Sequence, residues 1–82
     1  MAYQVIRQPE FDAAVANKLD KDFNIDFLLS GIKWTLEHNP YVGTKVSEHV
    51  WIGIVTIAPI VRKIYYTIDE ERKRVYLMDL TS

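Results

Sequence analysis

The feature that most constrains this chain is a change of hydrophobic period at Asn39-Pro40. Before it, apolar residues recur every three or four positions, the spacing of one helix face. Beyond Gly43 they alternate or run continuously, as strands do. The residue before a proline is pushed out of the helical region, so Asn39-Pro40 is read as a helix end.

Upstream, Phe11, Val15 and Leu19 lie at spacing four. Pro9 suits a first helical turn, where its missing N–H costs nothing. Glu10 and Asp12 sit at the positive end of the same helix dipole. This predicts a helix from Pro9 to about Leu19. After the polar break Asp20-Lys21-Asp22, capped by Asp22 or Asn24, a second stripe runs through Ile25, Leu28 or Leu29, Ile32 and Leu36. Phe23, Phe27 and Trp34 are expected to widen its buried face, and Gly31 to mark a close helix contact. Residues 2–7 read as a short strand, with Tyr3 and Val5 on one side and Ile6 on the other.

Downstream, Val50–Ile57 is apolar on both faces, the pattern of a central strand. Ile60–Ile68 alternates, placing Arg62, Ile64 and Tyr66 together and Val61, Lys63 and Tyr65 opposite them. Asp69-Glu70-Glu71-Arg72 reads as a charged hairpin turn and Lys73–Leu80 as the last strand. The expected architecture is α+β, in the order β-α-α-β-β-β: an antiparallel sheet with two helices packed on one face. All 82 residues are expected to form one domain.

Cysteine is absent, which removes disulfides and thiolate metal sites as stabilisers of so short a chain. Ten basic residues stand against eleven acidic ones, for a net charge of −1. That balance argues against a generic, strongly basic nucleic-acid binder. The three glycines form no phosphate-binding loop. Val50–Val61 is the most apolar run, yet Thr56 and Pro59 interrupt it, and a membrane span needs about 20 apolar residues. With no secretory pattern at the N-terminus, a cytoplasmic protein is expected. No cofactor or metal site is signalled.

The motifs Asn39-Pro40-Tyr41-Val42-Gly43 and Arg62-Lys63-Ile64-Tyr65-Tyr66-Thr67-Ile68-Asp69-Glu70, with the order of elements, resemble the RelE/ParE toxin superfamily. Its members typically carry Pro-x-x-Gly after the second helix and Arg-x-(Ile/Val)-Tyr on the following long strand. The resemblance implies a toxin of a prokaryotic type II toxin–antitoxin module, of the kind linked to plasmid stabilisation. It implies a cognate antitoxin as partner and a concave sheet face carrying the activity. One branch cuts messenger RNA on the ribosome without metal; the other inhibits DNA gyrase by binding.

For cleavage, Arg62 matches the motif arginine. A guanidinium can stabilise the phosphorane charge through paired hydrogen bonds. Tyr66 shares its side of the strand, and His49 is an acid/base candidate titrating near neutrality. Lys45, Arg72, Lys73, Arg74 and Tyr76 are the candidate binding residues, with tyrosines available for base stacking. Other readings stay open: Arg62 paired with Glu48 or Asp69, His49 exposed at a strand start, and the 69–74 cluster a solvated turn. A His38/His49 metal pair has no spacing signature. Of Tyr65 and Tyr66, one must face away from the helices.

The family's ribonucleases usually carry another arginine and a tyrosine or histidine at or beyond the last strand; Met78–Ser82 holds neither. They are also typically strongly basic, whereas this chain is not. A toxin acting by binding, gyrase-inhibitor-like or degenerate, is therefore the expectation. A ribosome-dependent ribonuclease using Arg62 and a non-toxic homodimeric binding domain are the alternatives.

Overall fold

The computed structural model describes residues 2–18, 25–57 and 60–81. Strand β1 (Gln4–Arg7) is followed by α1 (Pro9–Lys18), α2 (Ile25–His38) and a 3-10 turn over Pro40–Val42. Then come β2 (Thr44–Lys45), β3 (Trp51–Ile57), β4 (Ile60–Asp69) and β5 (Arg74–Thr81). The sheet order is β1-β5-β4-β3-β2. The class is α+β, as expected, with two differences. The two-residue β2 adds a fifth strand. And β1 pairs parallel to β5, so the sheet is mixed rather than antiparallel. A parallel pair needs a long crossover between its strands, and here everything from α1 through β4 supplies it.

Helix α2 ends at His38, one residue before Asn39-Pro40. The Asn39 side chain accepts a hydrogen bond from Tyr41 N at 3.2 Å and starts the 3-10 turn. The core is built from Phe11, Ala14 and Val15 of α1, Ile32 and Leu36 of α2, and Ile64, Tyr66, Val75, Leu77 and Leu80 of the sheet. Leu29 packs partly against it. Leu19 and Phe23 fall outside the described residues.

Two expectations for α2 are corrected. Trp34 is 65% exposed. It lies two residues from both Ile32 and Leu36, about 200° around the helix from each, so the buried stripe excludes it. Gly31 is exposed, and a Cβ there would meet nothing within 4 Å. It marks no close contact.

Strand β3 lies between β4 and β2, but is paired on both sides only at Trp51 and Ile52. Beyond Ile52 its outer edge has no strand partner among the described residues, because β2 covers only Trp51 and Ile52. Its Ile54 is 67% exposed. Strand β5 carries a register irregularity: Tyr65 lies opposite Asp79 but Tyr66 opposite Leu77, so Met78 is an extra residue. This bulge explains how Leu77 and Leu80, three apart, both reach the core, which strict alternation forbids.

Candidate functional site

The ladders assign every sheet side chain to a face. Ile64 and Tyr66 are buried under the helices, and their cross-strand partners Gly53, Trp51, Leu80 and Leu77 share that side. Val5 and Arg7, opposite Val75 and Leu77, share it as well. The other face is uncovered by either helix. It carries the rows Thr44–Ile52–Tyr65–Asp79, Ile54–Lys63–Thr81, Ile6–Tyr76–Thr67 and Gln4–Arg74–Asp69. Lys63, Tyr65, Arg74 and Tyr76 thus share one open face with Asp69 and Asp79, spread along roughly 20 Å of strand.

Tyr66 has 0% exposure. Its hydroxyl donates to Pro40 O at 2.8 Å and accepts from Gly43 N at 3.1 Å. Burial pushes its pKa up from the usual tyrosine value, and the Gly43 N–H offsets part of that rise. Gly43 is fixed by space: a Cβ there would collide with the Tyr66 hydroxyl and the Ile52 carbonyl. Its φ of −79° is open to any residue. The Pro40-x-x-Gly43 motif and Tyr66 are therefore two halves of one structural lock. It holds the turn after α2 against β4.

Arg62 shares the helix-covered side with Tyr66 and lies opposite Val55. Its Nε is buried and has no hydrogen-bond partner, and no pairing with Glu48 or Asp69 is present among the described residues. His49 is exposed in the segment between β2 and β3, two residues before Trp51, which faces Tyr66. Tyr66 is itself roughly 13 Å along the strand from Arg62. The structure does not bring His49 to Arg62.

Neither a family model nor a curated protein sequence matches the chain. Solved structures do. The toxin–antitoxin complex RelBE2 from Mycobacterium tuberculosis aligns with TM-score 0.73 at 16% identity, over 99% of this chain and 98% of that one. An arginine-to-alanine double mutant of the E. coli toxin RelE in the free state aligns with TM-score 0.69 at 13% identity. It covers 100% of this chain and 84% of that one. The chain has the fold of these two RelE structures.

On this RelE-type scaffold the expected binding residues separate into three places. Arg74 and Tyr76 lie on the open face. Arg72 and Lys73 are at the β4–β5 hairpin tip. Lys73 adopts φ 55°, donates to Glu70 at 3.1 Å and stands 5.3 Å over the Tyr3 ring. Tyr3 donates its hydroxyl to the same carboxylate at 3.0 Å. The Lys73 hydrogen bond is the main cause holding the Glu70 pKa low, and Glu70 in turn raises that of Lys73. The tip is a zwitterionic latch to the N-terminal segment. Lys45 is exposed on the two-residue edge strand, opposite Trp51.

Lys63 and Tyr65 are open-face residues missing from the expected site. Strand alternation shows that one of Tyr65 and Tyr66 faces outward, but the position of the helices decides which. Among the described residues, no three of His, Asp or Glu form a metal-ligand group. No described helix is long and apolar enough to cross a membrane.

Proposed function

We propose that this chain is the toxin of a type II toxin–antitoxin pair and acts by binding its target through the open sheet face. The RelE-type fold over nearly the whole of both chains supports the toxin reading, and both similar structures are described as such toxins or their complexes. The antitoxin partner follows from the same likeness. The parity of β4 carries binding over cleavage. It sends Arg62 and Tyr66 to the helix side and leaves Lys63 and Tyr65 outside. The open face then offers two tyrosine rings with Lys63 and Arg74, balanced by Asp69 and Asp79. That suits a protein or nucleoprotein surface better than a bare polyanion, which a stronger positive field would favour. Gyrase is a target of this kind.

Induced expression in E. coli tests the reading. Growth arrest is expected, relieved by the neighbouring small reading frame, with no ribosome-dependent cleavage in primer extension. Supercoiling by purified gyrase is expected to fall when the protein is added. Unchanged growth overturns the toxin reading.

A second reading is a ribosome-dependent ribonuclease. The buried, unpartnered Arg62 Nε favours it, because a phosphate oxygen satisfies such a donor. In this reading Arg62 stabilises charge, Tyr66 is confined to its structural lock, and His49 serves as acid or base only after the loop carrying it moves. Cleavage that disappears in Arg62→Ala establishes this alternative.

A further inference from the structure

Most of the outer edge of β3 is open. Val46 N and Ser47 N both donate to Val50 O, at 3.0 and 3.3 Å, so the Val50 carbonyl points toward the β2 side. By the alternation of a strand, the N–H and C=O groups of Ile52, Ile54 and Thr56 point the same way. Those of Ile52 meet Thr44 across the β2 ladder. Those of Ile54 and Thr56 meet no backbone group among the described residues, because β2 stops short of them. Natural edge strands are commonly guarded by a charge, a proline or a bulge. Residues 53–57, Gly-Ile-Val-Thr-Ile, hold no charge and no proline, and their register against β4 is unbroken. Ile54 on this edge is exposed, as is Val61 on the neighbouring strand.

We propose that a second copy of this chain pairs here, β3 against β3, antiparallel about a two-fold axis at Val55. The open stretch is bounded by the β2 ladder at Ile52 and by the end of β3 at Ile57. It is symmetric about Val55, so the same stretch of a second copy fills it from end to end. Ile54 then lies opposite the partner's Thr56, and Thr56 opposite the partner's Ile54. Each pair exchanges both hydrogen bonds, which satisfies every outward backbone group. Val55 meets the partner's Val55 in a non-hydrogen-bonded pair, with Cα atoms roughly 4.5 Å apart. Arg62 lies opposite Val55 on β4. Its Cα is three strand spacings, roughly 14 Å, from that of the partner's Arg62, beyond a Debye length of about 8 Å. The contact uses one surface on both copies and consumes the edge, so it closes at two. It covers on the order of 500 Å² per copy against about 800 Å² for a standard interface, which makes the dimer a weak, concentration-dependent one. The two open sheet faces join across the axis. The pairing rests on the β3 edge and not on the toxin reading.

The absence of cysteine makes the register directly testable. Val55→Cys sets two thiols across the axis, at a Cα separation that a disulfide spans. Ile54→Cys sets them on a diagonal of roughly 8 Å, which a disulfide does not span. Under air oxidation with copper–phenanthroline, Val55→Cys is expected to run mainly as a covalent dimer on non-reducing gels, and Ile54→Cys mainly as a monomer. Sedimentation equilibrium of the cysteine-free full chain, from micromolar to millimolar concentration, is expected to show a reversible dimer. Amide exchange at Ile54 and Thr56 is expected to slow over the same range. Ile54→Lys, altered at an exposed position, is expected to dimerise at least roughly tenfold more weakly. Trp34→Ala, exposed on α2, is expected to dimerise as the wild type does. A chain that stays monomeric to millimolar concentration overturns the proposal and leaves the edge to a different partner. A dimer that survives Ile54→Lys, or Ile54→Cys cross-linking faster than Val55→Cys, also overturns it.

Discussion

Tyr66 gives the residue scale its clearest case. Its ring fills the core, and its hydroxyl satisfies two backbone groups of the turn after α2. Tyr66→Phe keeps the ring and strands those groups, at a cost of about 1–3 kcal/mol. In a domain of this size each kcal/mol lowers the melting temperature by about 4–8 °C, so calorimetry reads the loss directly. The same hydroxyl predicts a pH dependence. Its folded pKa is raised, so its contribution is present below pH 10 and is lost as pH rises above that value. Denaturant titrations above pH 10 are expected to show a fall in wild-type stability that Tyr66→Phe lacks. Gly43→Ala is expected to destabilise on the same scale, by forcing the lock apart. That Tyr65 and Tyr66 point oppositely is legible in the sequence, because adjacent strand residues always do. That Tyr66 is the inner one depends on which side the helices cover, and no local signal states it.

At the scale of elements, α2 separates what periodicity reveals from what it does not. Ile32 and Leu36 are buried where the stripe places them, while Trp34 lies off the stripe and is exposed. Leu36→Ala is expected to cost about 2–5 kcal/mol, and Trp34→Ala to stay within about 0.5 kcal/mol. Urea unfolding of the two variants distinguishes them. The helix end at Asn39-Pro40 is legible because proline imposes it. Strand β2 is not, since two residues carry no period. The bulge at Met78 is equally silent, although it decides which faces Asp79 and Leu80 occupy. Removing Met78 restores plain alternation and keeps Leu77 and Leu80 on the core side. A Met78 deletion is therefore expected to fold cooperatively by circular dichroism. Deletion of Tyr76 shifts part of β5 to the wrong face and is expected to abolish the thermal transition.

At the scale of the molecule, the α+β class and the segregation of helices to one sheet face follow from the change of period at Asn39. The parallel pairing of β1 with β5 does not. It is fixed by where the crossover deposits the first strand, which no residue of β1 encodes. That pairing makes β1 an edge of the sheet. The open face, by contrast, depends on β4, whose alternation is visible in the sequence. Its partition leaves Lys63, Tyr65, Arg74 and Tyr76 as the surface on which the proposed activity rests. The most direct test is growth after induced expression of three proteins at matched levels: wild type, Tyr65→Ala/Arg74→Ala and Arg62→Ala. Arrest by wild type and Arg62→Ala, with growth restored in the open-face double variant, is the predicted result. Restored growth in Arg62→Ala with undiminished arrest by Tyr65→Ala/Arg74→Ala would contradict it.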